Sequence, residues 1–348
     1  MNDPINVAFY PGDGWHAYQE SMRVALSKHN IHAYAATGFS NESIIEDDKT
    51  DIFHFHWIER LWDTDGFWHQ LRLIIGVYRF LRLAKKRGKV ITWSVHNHYP
   101  HENLRVTHRL GLKLFAKMCD AIYVHSHWSK QWVKENLAPV CEPVVVYHGN
   151  FKEIFNFDLD VGAVKQLYTS SDVPLIGILG MIRNNRGHER VIKAIRESSL
   201  NVKLLIAGKA SSEPYLLGLK SLASGDERII FDIRRLSDKE YQGVASACDM
   251  LILSYKNITT SGALLSAWTM GTPVITTPLP YFEELLGVQK ESGVVLKNLE
   301  TQSIVFAIKE LLTVPKSVRK KAAKNMANRF DWDSIILPMV ESYRKLIN

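Results

Sequence analysis

Three hydroxyl side chains in a row, Thr259, Thr260 and Ser261, stand directly before Gly262 in the stretch DMLILSYKNITTSGALLSAWTMGTPVITT, residues 249–277. The apolar run Met250–Leu253 before them reads as a buried strand. The stretch from Gly262 to Met270 reads as a helix stopped by Gly271 and Pro273. A helix start at Thr260–Gly262 offers unpaired backbone N–H groups, hydroxyls and the positive end of a peptide dipole, which suits a phosphate or pyrophosphate. An ordinary Thr or Ser N-cap has the same pattern, so the surroundings must decide.

A second anion-binding candidate is the loop GMIRNNRG, residues 180–187, which follows another apolar run. Arg183 and Arg186 each offer a planar fork of donors suited to phosphate oxygens; the alternative is a pair of solvated loop residues. Ser266 lies one helical turn below Gly262 and carries a further hydroxyl.

The first half holds the groups able to move protons. Asp13 sits in Pro11-Gly12-Asp13-Gly14, His96 and Glu102 in HNHYPHEN (residues 96–103), and further histidines in HFHWIER (residues 54–60). An imidazole titrates near neutral pH, and a carboxylate in a loop at a strand end can act as a general base. Glu102 is the preferred base, with His96 and Asp13 beside it. Asp13 as a helix cap and Glu102 as a partner of Arg105 are the competing structural readings. His54 and His56 share one strand face, and His96 and His98 do the same if their strand runs on, so four imidazoles suggest zinc. There is no nearby cysteine and no HExxH pattern, so hydrogen bonding to sugar or phosphate is expected instead, with no metal.

These residues need elements to hold them. Apolar, β-branched runs at Ile5–Tyr10, Ile31–Ala36, Asp51–Trp57, Val90–Val95, Ala121–His125 and Val144–Tyr147 alternate with helix-like stretches. The second half repeats this at Leu175–Leu179, Lys203–Ala207, Arg228–Phe231, Met250–Ser254, Pro273–Thr276 and Gly293–Leu296. Such alternation predicts two doubly wound α/β domains, each with a parallel sheet covered on both faces, facing a central cleft. Ligands of such sheets bind beyond the carboxyl ends of strands, where the glycines, histidines and arginines fall. The predicted divisions are 1–150, 151–330 and a C-terminal helix, 331–348, with Asn150–Pro174 as a linker.

Charge separates the halves further. Residues 1–65 hold four Lys or Arg against eleven Asp or Glu, and residues 66–120 hold eleven against two, so an anionic partner is expected near the second segment. Within WHQLRLIIGVYRFLRLAKKRGK (68–89), Arg72, Arg79 and Lys86 recur every seven residues on one helical face, with Leu71, Ile74, Ile75, Tyr78 and Leu81 largely on the other. Arg105, Arg109, Lys113 and Lys117 form a second stripe. A solvated basic face competes with a surface for anionic lipid headgroups or a lipid diphosphate, for which Trp62, Phe67 and Trp68 are shallow anchors. Nucleic acid is not expected, since no binding module for it is visible. Three widely spaced cysteines, no basic-then-apolar leader and no apolar run of about 20 residues point to a reducing cytoplasm, or to the inner face of the plasma membrane.

The second half resembles the nucleotide-sugar-binding domain of GT-B glycosyltransferases, most closely glycosyltransferase family 4. GMIRNNRGHERVIKAI resembles that family's glycine–arginine loop, LLIAG (204–208) its next strand, and GTPVI (271–275) its closing signature. ERIIFDIRRLSDKEY resembles the strand and loop facing the nucleotide base, which adds Arg234 to the donor set. RFDWDSI (329–335) resembles the start of a helix that returns to the first domain. DIFHFHW, VHNHYPHE, DAIYVHSHWSK and VVYHG also fall at family-like positions. Arg186 takes the place of a pyrophosphate-binding lysine, and a histidine near His96 contacts the donor sugar in related enzymes. The family's paired glutamates are absent: Ile258 and Ser266 stand at their positions, which puts retaining chemistry in doubt.

The resemblance implies metal-independent transfer of a sugar from a UDP- or GDP-sugar, used as co-substrate, to a glycan acceptor, with a lipid-diphosphate-linked saccharide of surface polysaccharide synthesis expected. The donor set is Gly12, Arg183, Arg186, Arg234, Thr260, Ser261, Gly262 and Ser266. A non-catalytic partner on the same fold and a sugar-nucleotide epimerase are the alternatives.

Overall fold

The computed structural model describes residues 3–12, 17–36, 49–98, 106–287 and 290–348. Asp13, Glu102 and Arg105 lie outside the described residues. The chain divides into two compact units, one of Met1–Gly149 with Asp331–Asn348, the other of Asn150–Phe330.

In the first unit, strands β1 (Ile5–Tyr10), β2 (Ile31–Ala35), β3 (Ile52–His56), β4 (Val90–Val95), β5 (Ala121–Val124) and β6 (Val144–Val145) form one sheet in the order β2-β1-β3-β4-β5-β6. Every pairing is parallel. Parallel neighbours require crossovers, here helices that cover both faces. Side-chain alternation divides the core: Ala8, Tyr10, Phe53 and Phe55 pack with Phe80 and Phe115, while Val7, Phe9 and Ile52 pack with Tyr18 and Met22 on the opposite face. The C-terminal segment completes this second layer with Trp332, Ile336, Met339, Val340 and Tyr343.

In the second unit, β7 (Leu175–Leu179), β8 (Lys203–Ala207), β9 (Ile229–Asp232), β10 (Met250–Leu253), β11 (Val274–Thr276) and β12 (Gly293–Val295) form a parallel sheet in the order β12-β11-β10-β7-β8-β9. The order reverses between β7 and β10, so a crevice opens beyond their carboxyl ends. At the amino ends of the same two strands Asp249 ties the unit together. Its carboxylate accepts from the Leu175 amide and from Lys165 Nζ, both at 3.0 Å, and pairs with Lys316 at 3.1 Å. Burial pushes this carboxyl up, but the amide and the two lysines outweigh that and hold it below its usual value.

The expected linker is a correction. Asn150–Pro174 belongs to the second unit and contains a helix, Val161–Gln166. Lys165 reaches Asp249 from it, and Phe157 exchanges hydrogen bonds with Gln242. A short helix without a long apolar stripe gives little periodicity to read.

Candidate functional site

The loop after β7 is shaped by glycines. Gly180 has φ +104°, and the Arg186 guanidinium lies over it: a Cβ there would sit 3.1 Å from Nη1. Gly187 has φ +64°, and a Cβ would fall 2.3 Å from the Ser254 carbonyl oxygen, so the loop can approach β10 only with glycine here. Between them Asn184–Arg186 makes a 3-10 turn that leads into the helix His188–Arg196.

Arg186 is held from two sides. Nη1 donates to the Leu179 carbonyl at 2.8 Å, and the guanidinium lies 5.0 Å from the centre of the Tyr255 ring. Ser254 Oγ donates to the Arg186 carbonyl at 2.6 Å, and the Lys256 amide to the Asn185 carbonyl at 2.8 Å. Lys256 Nζ also meets the Asn184 side chain and lies 3.7 Å from Glu189. The structure therefore brings together Arg186, Tyr255 and Lys256 at the strand-order reversal, a positively charged corner able to hold an anion. Nearby His188 is pushed down to about 3 by burial, then by the charges of Arg186 and Lys256, so it stays neutral. Tyr255 and Lys256 were missed in the sequence because only the β7–β10 adjacency joins them to the loop.

The helix Gly262–Met270 starts where expected and ends at Gly271, in the left-handed region at φ +78°. The hydroxyls are more occupied than expected. Ser261 Oγ, buried, accepts from the Leu264 amide at 3.2 Å, and Thr260 donates to the Tyr281 hydroxyl at 3.4 Å. Thr259 and Ser266 are buried. The first-turn amides ahead of Leu264, including that of Gly262, have no partner further up their own helix, which makes them the donors at this end suited to an anion. Arg183 is half-buried in extended backbone, and its carbonyl accepts from the Arg186 amide. Arg234 is committed elsewhere: Nε donates to Asp232 at 2.9 Å, and Nη1 pairs with Glu240.

Gly12 has a packing explanation. A Cβ there would lie 2.0 Å from the Ala36 carbonyl oxygen, where the chain leaves β1 and β2. His96 is buried, with Nε2 3.0 Å from His56 Nδ1 and its ring stacked on Trp57 at 4.4 Å. His54 bonds Ser94 at 2.8 Å and also meets Thr92 and Tyr343. His98 turns away from His96 to Ser129 at 2.8 Å and stacks on Trp132 at 4.0 Å. Burial pushes His54 and His98 down to about 3 and His125 to about 4. Among the described residues no three His, Cys, Asp or Glu side chains group to hold a metal ion.

The basic stripe lies on the helix Phe67–Lys86, where Arg72, Arg79 and Lys86 are exposed and Ile74, Val77, Phe80 and Leu81 are buried. Two expectations are corrected. Ile75 is 44% exposed and lies among the arginines, since it follows Arg72 by three residues and precedes Arg79 by four. Trp62 is only 1% exposed, wedged against Gly111, and is core instead of anchor. Phe67 and Trp68 are 54% and 77% exposed. Arg109, Lys113 and Lys117 are exposed on the helix Val106–Met118. No helix among the described residues is long and apolar enough to cross a membrane.

Comparison with known proteins bears on the second unit most directly. Residues 173–314 match the family described as Glycosyl transferases group 1. Over 249 residues, 70% of this chain, the sequence is 23% identical to a GDP-mannose:glycolipid 4-beta-D-mannosyltransferase of Xanthomonas campestris pv. campestris. That match spans 65% of the relative's length. The structure of Anabaena Alr3699/HepE in complex with UDP and glucose is similar with a TM-score of 0.74 at 15% identity, covering 98% of this chain and all of that one. Sucrose-phosphate synthase from Thermosynechococcus elongatus gives 0.73 at 15% identity, covering 99% of both chains. The chain therefore has a GT-B fold, and its second unit resembles the Glycosyl transferases group 1 family over residues 173–314.

Proposed function

We propose that this protein transfers a sugar from a UDP- or GDP-sugar to a glycan acceptor, with a lipid-diphosphate-linked saccharide of surface polysaccharide synthesis as that acceptor. The observation that carries the reading is Arg186, laid on Tyr255 beside Gly180 at the strand-order reversal of the second unit. A departing diphosphate gains charge in the transition state, and a fixed guanidinium with helix-start amides stabilises that charge without a metal. The second unit binds the donor in this reading, through Arg183, Arg186 and the amides near Gly262. The first unit binds the acceptor and supplies the base, with Glu102 preferred and Asp13 second. His96, tied to His56 and stacked on Trp57, orients sugar instead of taking the proton. The relative from Xanthomonas is named for a glycolipid acceptor, and the basic faces with exposed Trp68 and Phe67 suit an anionic membrane surface.

Thermal-shift and calorimetric titration with UDP, GDP and their sugar conjugates tests this. A specific ligand at a hundred times its Kd stabilises the folded state by about 2.7 kcal/mol. No affinity for any of them would sink the proposal. Ile258 and Ser266, where the family's glutamates would stand, favour a second reading, a nucleotide-sugar binder without transferase activity. Donor turnover by the purified chain, with or without acceptor, eliminates that reading.

A further inference from the structure

Trp57 has φ 42° and ψ 50°, the left-handed region. A bulky L-residue is disfavoured there, and such conformations persist where surrounding structure enforces them, most often at functional sites. Trp57 directly follows β3, and the order of the first sheet reverses between β1 and β3. It therefore stands where a doubly wound sheet receives ligands.

The side chain is positioned with care. Its ring stacks on His96 at 4.4 Å with 20° between the planes, and His96 is fixed in turn by His56. Trp57 is half-buried, whereas His56 and His96 beside it, and His125 beyond His96, are buried. His125 Nδ1 donates to the Val146 carbonyl at 2.8 Å, which leaves Nε2 as an acceptor. That Nε2 is buried and has no hydrogen-bond partner among the described residues, and the ring lies 5.0 Å from His96. A rigid aromatic face beside buried imidazoles matches what a pyranose ring requires. Its axial C–H bonds pack on the negative face of an aromatic ring, and its hydroxyls seek fixed polar atoms.

We propose that Trp57 is the stacking platform for a pyranose ring of the acceptor, held in its strained conformation so that the indole meets the sugar. The proposal rests on the glycosyltransferase reading above. It assigns the acceptor because the charged corner suited to a nucleoside diphosphate lies in the second unit.

Saturation-transfer NMR on the full chain tests it, with methyl α-D-mannopyranoside, methyl β-D-glucopyranoside and methyl β-D-galactopyranoside as probes, and UDP and GDP in parallel. At least one glycoside should receive saturation. Trp57→Gly, which accepts the left-handed backbone, should cut that signal at least fivefold, leave the nucleotide signal unchanged and not lower the melting midpoint. Trp57→Phe, with a smaller ring on the same backbone, should fall between, and it carries the test alone if the glycine variant does not fold. The proposal is overturned if no glycoside binds, if the glycoside signal survives in Trp57→Gly, or if the nucleotide signal is the one lost. Failure of the nucleotides to bind wild-type protein counts against the donor reading and is seen separately.

Discussion

Arg186 is the centre of the proposed donor site, and its surroundings say what its loss should do. One N–H is spent on the Leu179 carbonyl and the guanidinium face lies on Tyr255, so the side chain is pre-oriented before any ligand arrives. Arg186→Ala should weaken nucleoside diphosphate binding at least about tenfold, roughly 1.4 kcal/mol, by calorimetry. Arg186→Lys should recover only part of this, because an ammonium keeps the charge and loses the fork. Arg234→Ala should cost less than Arg186→Ala, since Asp232 and Glu240 already engage its guanidinium; an equal loss would mean that those pairs open on binding. The arginine itself was legible, as a basic residue in a glycine-bounded loop after an apolar run. Tyr255 and Lys256 were not, because their closeness depends on strand order, which local pattern does not encode. Trp57 was equally hidden: its backbone angle is imposed by tertiary structure, and Trp has no local preference for it.

At the scale of elements, the helix Phe67–Lys86 shows how far periodicity reaches. The seven-residue spacing of Arg72, Arg79 and Lys86 did mark one exposed face, whereas Ile75 joined that face because a hydrophobic residue has no obligation to be buried. Trp62 was misread for the complementary reason: a tryptophan near exposed aromatics can belong to the core, and here Gly111 makes room for it. Charge reversal at Arg72, Arg79 and Lys86 should reduce association with anionic liposomes at least about tenfold at low salt, with about 1 kcal/mol per basic residue available at such a surface. The melting midpoint should hold, since all three side chains are exposed. Unchanged association would leave a solvated helix face and nothing more. The strands, by contrast, were read to within a residue or two, since runs such as Leu175–Leu179 are buried throughout and nearly all apolar. What pattern did not show was the clamp at their amino ends. Asp249→Asn should destabilise the second unit by about 3 kcal/mol in denaturant titration, because Lys165 would be left buried without its counter-charge.

For the whole molecule, acid is the discriminating condition. His54, His98 and His125 lie in the first unit and His188 in the second. Burial lowers all four below the ordinary value of 6.5. Above that value the folded and unfolded forms are both neutral and the stability is intact. As pH falls below it, the unfolded chain takes up protons that the folded chain refuses, and stability declines until the folded values near 3 to 4 are reached. Each histidine contributes a slope of about 1.4 kcal/mol per pH unit. Three against one predicts that the first unit unfolds at the milder acidity. Tryptophan fluorescence and circular dichroism melts between pH 7 and pH 5 should show its transition moving down more steeply; parallel movement of both would contradict this.

The segment Asp331–Asn348 has a consequence for how such a chain is born. Trp332 sits against Gly149, Tyr123 donates to Ser342, and Tyr343 reaches His54, all within the first unit. A nascent polypeptide emerges from the ribosome in order, so everything from Asn150 to Phe330 is synthesised before that last layer exists. The early half must wait with one flank of its sheet bare, while the later half, contiguous in sequence, is the first able to finish folding. A stop codon just after Phe330 would thus spare the portion it ends and cripple the portion made first.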